Sequence, residues 1–178
     1  MHWTRTSLFC LIFWFLGCEL DLHNHTYGNP FDLDANSEEG ILPPALIFSP
    51  NQVNTEIGQI VPINIAALEV QGVGGIYAQV KYDSSLLSVI SVKPGQFFSG
   101  DQSPFFLFED QGGILDIYIS YLSSETFANG TGDVATINFQ INAEGNALIE
   151  ITANSELMNP SDIPIKINGY GKGVIIAK

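Results

Sequence analysis

The chain has 178 residues, enough for one domain with a sizeable core and an extension beside it. Only 6 Lys and Arg stand against 19 Asp and Glu, a formal charge of -13, and so acidic a surface argues against a nucleic-acid partner. Both cysteines, Cys10 and Cys18, precede the body of the chain, which therefore holds no disulfide, thiol nucleophile or cysteine-based metal site.

Residues 1–18 read MHWTRTSLFCLIFWFLGC. One basic residue, Arg5, precedes an apolar run from Leu8 to Leu16. The run is too short to span a bilayer, which takes about 20 apolar residues. It fits the apolar region of a secretory signal. Its end, Phe15-Leu16-Gly17-Cys18, resembles the lipobox of bacterial lipoproteins, with Phe15 where Leu is usual. The resemblance implies a signal peptide over 1–17, export, and a lipid on Cys18 that ties the protein to the outer face of the bacterial envelope. A plain signal peptide cut nearby, with Cys18 incidental, is the other reading.

Residues 18–44 read as a flexible acidic tether. Asn29-Pro30, the acids Asp32, Asp34, Glu38 and Glu39, Gly40 and Pro43-Pro44 oppose regular structure, and charge and proline extend a linker. Asp32-x-Asp34-x-Asn36 has the alternating oxygens that open a calcium loop, but the later ligands and the sixth-position glycine are missing. His23-Asn24-His25 has no further ligands beside it. No metal site is expected.

From residue 45 to 178 the pattern is short apolar segments punctuated by Gly and Pro. Strands are expected at Ala45 to Pro50 and Ile60 to Leu68, the second at a sheet edge or starting late because Pro62 cannot donate to a ladder. Gly75 to Gly95, GIYAQVKYDSSLLSVISVKPG, reads as two strands joined by a tight corner at Asp83-Ser84-Ser85. In the first, Ile76, Ala78, Val80 and Tyr82 alternate with Tyr77, Gln79 and Lys81, so one face is apolar and the other wet. Phe105 to Phe108 and Ile114 to Leu122 form a hairpin about Asp110-Gln111-Gly112-Gly113. There Leu115, Ile117, Ile119 and Tyr121 oppose Asp116, Tyr118 and Ser120. Gly132 to Ala143, Ala147 to Thr152 and Val174 to Ala177 complete nine strands, and the turn-rich segment Glu156 to Lys172 wraps one end. The fold expected is all-β, a nine-stranded two-sheet sandwich of jelly-roll type. Its core should include Ile76, Val80, Tyr82, Leu87, Ile117, Ile119, Ile137 and Phe139.

Chemistry is hard to find in this segment. All three histidines, His2, His23 and His25, precede it, which excludes a Ser-His-Asp arrangement. Glu109, Asp110 and Asp116 are the acids a glycosidase pair would draw on, yet two of them sit at a hairpin end, where acids are ordinarily solvated. No glycine-rich loop opens a helix to cradle phosphate. The expectation is a non-enzyme without a cofactor.

The stretch 75–95 is similar to the third and fourth strands of cohesin domains, the receptors of dockerin modules in cellulosome-type assemblies. The likeness extends through Ile60-Val61-Pro62-Ile63-Asn64-Ile65, Gly72, Gly74 and Gly75, the block Gly132 to Phe139 and the closing Gly173-Val174-Ile175-Ile176. It implies a cohesin-like sandwich over 45–178 and a dockerin-like partner that carries its own calcium. It also implies docking on the flat face of one sheet, through outward residues of the third, fifth and sixth strands. On this chain that face presents Tyr77, Gln79, Lys81, Asp116, Tyr118 and Ser120. Many dockerin-binding cohesins carry an Asn and an Asp near the start of the third strand, where Gly75 and Tyr77 stand here, which implies a divergent partner. A carbohydrate-binding module is the alternative, with polysaccharide as ligand. It would have to stack sugars on Tyr and Phe alone, since Trp3 and Trp14 belong to the signal.

Overall fold

The computed structural model describes residues 29–100 and 103–178. Residues 1–17, read from the sequence as a signal, with Cys18 and His23-Asn24-His25, lie outside the described residues. Described first is a short helix, α1 (Leu33–Glu38), inside the segment read as an extended tether. Asp32 caps it: the Asp34 and Ala35 amides donate to its Oδ1 at 3.1 and 3.2 Å. Asn36 is buried and donates to the Pro30 carbonyl at 2.7 Å. Of the oxygens that mimic a calcium loop, Asp32 Oδ1 is thus spent on a helix cap. Ile41 then packs on the buried cluster Ala45, Ile47, Ala66 and Leu68, so the last residues before 45 lie against the sandwich.

Thirteen strands follow among the described residues. All nine expected strands are present: β1 (Ala45–Ser49), β3 (Ile60–Val73), β4 (Gly75–Tyr82), β5 (Leu87–Pro94), β6 (Phe105–Asp110), β7 (Ile114–Ser120), β8 (Ala128–Ile141), β9 (Gly145–Ile151) and β13 (Lys172–Ala177). Four short ones join them: β2 (Gln52–Thr55), β10 (Glu156–Met158), β11 (Pro164–Ile165) and β12 (Gly169–Tyr170). A strand of two to four residues shows no period in sequence; pairing partners define these. The segment expected to wrap an end therefore adds strands to both sheets.

Five strands form one sheet in the order β12-β1-β3-β8-β5. The other runs β11-β10-β4-β9-β13-β2, with β7 paired to β4 and β6 to β7. On one side β4 bonds β7 along its whole length; on the other it meets β10 through Gly75–Tyr77 and β9 through Val80–Tyr82. β3 lies inside its sheet, not at an edge. Its neighbour β1 reaches only to the pair Ser49–Asn64, so Pro62 sits where the strand has β8 alone beside it. The missing amide of Pro62 thus leaves no gap toward β1.

The corner after β4 carries the chain from one sheet to the other. Asp83 builds it: the Ser85 amide donates to its Oδ1 at 2.9 Å, and the Leu86 and Leu87 amides donate to its carbonyl. Between the sheets, all eight expected core residues are buried, with Val80, Ile137 and Phe139 fully enclosed. Alternation on both sheets put them there, and their burial from water is what holds the layers together.

Candidate functional site

The outer face of β4 and β7 is set by register. Tyr77 pairs with Tyr118, Gln79 with Asp116, Gly75 with Ser120 and Lys81 with Ile114. The sequence-predicted residues therefore do share one face. β6 extends it: Leu107 pairs with Tyr118, Phe105 with Ser120 and Glu109 with Asp116. β10 closes the other side, with Glu156 opposite Tyr77 and Met158 opposite Gly75.

The centre of this face is a closed polar network. The Tyr77 hydroxyl donates to Asp116 Oδ1 at 2.6 Å. Gln79 Nε2 donates to Asp116 Oδ1 and to the Tyr77 oxygen, both at 3.0 Å. Thr152 Oγ1 and Asn154 Nδ2 donate to Gln79 Oε1, each at 2.9 Å. All the bonding capacity of the Gln79 amide is thereby used within the protein. Asp116 lies on the face expected to be wet, yet it is only 7% exposed because Tyr77 and Gln79 cover it. Burial, and then the Asp116 carboxylate, hold the Tyr77 hydroxyl well above its ordinary pKa.

Tyr77 and Tyr118 stack with ring centroids 4.8 Å apart. Beyond them the face falls into an open depression of about 630 Å³, lined by Gly75, Phe105, Leu107, Ser120, Leu122 and Met158 among others. Gly75 makes room for it: a Cβ there would stand 3.0 Å from that of Ser120. Leu107 is 52% exposed and Leu122 82%, a concentration of apolar surface on an otherwise acidic protein. Lys81 is exposed at the far end of β4, away from the depression.

Of the acids weighed for catalysis, Glu109 is exposed, Asp110 accepts from the Tyr82 hydroxyl at 2.7 Å and from the Gly112 amide, and Asp116 is buried in the network. Burial and the Asp110 bond push Tyr82 up to about 12. These contacts brace a hairpin. Sequence reasoning named no residue of β6 for the face, because Phe105 to Phe108 is uniformly apolar and hides its alternation. Met158, Thr152 and Asn154 arrive through long-range pairing and give no local signal, whereas Leu122 continues the alternation of Asp116, Tyr118 and Ser120 two residues past the end of β7.

The cohesin domain family model matches residues 48–167. Among solved structures, a non-cellulosomal cohesin from the hyperthermophilic archaeon Archaeoglobus fulgidus is similar at 16% identity and a TM-score of 0.63, covering 75% of this chain and 90% of that one. A type II cohesin domain from the cellulosome of Acetivibrio cellulolyticus is similar at 18% identity and a TM-score of 0.64, covering 74% and 94%. The sixth cohesin from scaffoldin B of the same organism, solved in complex with a dockerin, is similar at 18% identity and a TM-score of 0.63, covering 75% and 98%. No curated protein matches the chain.

Proposed function

The chain belongs to the cohesin family, and from that premise we propose that it is a non-catalytic receptor module that takes a dockerin-type partner on the outer face of β4, β6 and β7. The observation that carries the proposal is the braced face itself. Tyr77, Gln79 and Asp116 lock one another, and Tyr118 stacks on Tyr77. Tyr118, so held and 39% exposed, loses little freedom on binding, so its contact energy is not consumed in ordering it. Calcium would belong to the partner.

Polysaccharide binding is the weaker reading. A sugar platform needs open aromatic faces, and the stack of Tyr77 on Tyr118 leaves each ring no more than one. Lipid on Cys18 would place the receptor on the outer envelope, where it would recruit a partner engaged in polysaccharide breakdown.

Calorimetry of the purified chain against a panel of recombinant dockerin modules, with calcium and with a chelator, tests the proposal. At least one module should bind, and chelation should abolish binding. Retention on an insoluble polysaccharide, with every dockerin silent, would replace this function with carbohydrate binding.

A further inference from the structure

The docking face is divided into two chemically different halves. In one, the polar groups are already paired: Gln79 has bonds to Tyr77, Asp116, Thr152 and Asn154, and Asp116 is 7% exposed. A partner bonding there would exchange one hydrogen bond for another and gain little. In the other half lies the depression walled by Phe105, Leu107, Tyr118, Leu122 and Met158. Its size falls in the range of sites that enclose small ligands, roughly 300–1,000 Å³. Burying these walls removes apolar surface from water, which is where a large favourable term is available.

Charge supplies the second observation. Glu156 and Asp162 line the depression, and no Lys or Arg stands among the described residues that line it. The chain as a whole carries a formal charge of -13. Such a field accelerates the approach of a cationic surface and disfavours an anionic one.

Resting on the dockerin reading above, we infer that the partner's docking element inserts an apolar side chain of the Leu, Ile or Phe class into the depression and sets Lys or Arg against Glu156 and Asp162. Partner choice is made at this apolar, acid-rimmed end, and the Tyr77–Gln79–Asp116 network serves to keep Tyr118 in place.

The test uses one recombinant dockerin module in two forms. The first carries a Leu flanked by two Lys on its docking helix; the second has Asn and Glu at those positions. Both are titrated by calorimetry into the parent chain, Leu107→Asp and Leu148→Asp. Leu148 is 69% exposed on β9, outside the depression, and its variant adds the same charge. The Leu-Lys form should bind the parent, and the Asn-Glu form should bind at least about tenfold more weakly. Leu107→Asp should lose a similar factor, and Leu148→Asp should bind like the parent. Exchange on the dockerin side leaves this chain unaltered, so the outcome does not depend on how Leu107→Asp folds. Equal binding of the two forms would overturn the inference while leaving the dockerin reading standing. No binding of either form would overturn the inference, and the dockerin reading falls only with the whole panel silent.

Discussion

Tyr77 and Tyr118 face each other across β4 and β7 with their rings stacked, centroids 4.8 Å apart and planes 14° from parallel. They are not equivalent. Tyr77 also bonds the buried Asp116, whereas Tyr118 is 39% exposed. Removing Tyr118 takes away contact surface; removing Tyr77 also unpairs a carboxylate.

Tyr118→Ala should therefore weaken dockerin binding by about 1–3 kcal/mol and leave the melting temperature nearly unchanged. Tyr77→Phe keeps the ring but deprives Asp116 of a donor, and should cost about 1–3 kcal/mol of stability. Calorimetry and thermal melts on both variants check this. Identical profiles for the two would mean that the network does not separate support from contact.

Ile117→Ala should destabilise the fold by about 2–5 kcal/mol. Ile117 is 1% exposed between the sheets and pairs with Ala78. An unchanged melting temperature would mean that the inward phase of β7 is wrong.

Gly95→Ala should be among the more damaging single-methyl additions. A Cβ at Gly95 would stand 2.1 Å from the Asp133 carbonyl oxygen, where the chain after β5 closes on β8. The Gly95 amide donates to the Val134 carbonyl at 2.8 Å, so backbone cannot retreat without losing a bond. The expected cost is about 1–3 kcal/mol or more, read by urea unfolding.

Asp133 predicts a pH dependence. Asn64 Nδ2 donates to its Oδ2 at 3.0 Å, while its buried Oδ1 has no partner among the described residues. Burial pushes its carboxyl above the ordinary 3.8. A raised carboxyl pKa favours the folded state only while the group is protonated. Its contribution is complete below the unfolded value and is lost as pH rises through the folded one. Unfolding of parent and Asp133→Asn from pH 3 to 7 should show the variant gaining on the parent as pH rises above about 4. A constant gap across that range would rule the effect out.

Cys18→Ala should move the protein from the membrane fraction to the soluble fraction when expressed in a bacterial host. A variant that fractionates with the membrane like its parent would exclude the lipid anchor.

Alternation alone was enough to place Ile76, Val80, Ile117 and Ile119 in the core and Tyr77, Tyr118 and Ser120 outside, because a strand has a period of two and the residues obey it. The resemblance carried by residues 75–95 and the block from Gly132 reached the family for a related reason: a sandwich repeats its inward positions wherever it recurs. The same residues left Asp116 on a wet face, since periodicity assigns a side but not a depth; Tyr77 and Gln79 bury it by folding over it. Helix α1 escaped notice because six residues are too few for a helical period, and its Asp32 cap resembles a linker acid. Leu122 and Met158 reach the depression from segments 36 residues apart in the chain, joined there by pairings of β4 with β7 and β10. Strand phase is a local property that a sequence displays; which strands become neighbours is decided by the packing of two whole sheets, and the shape of the docking face follows from that.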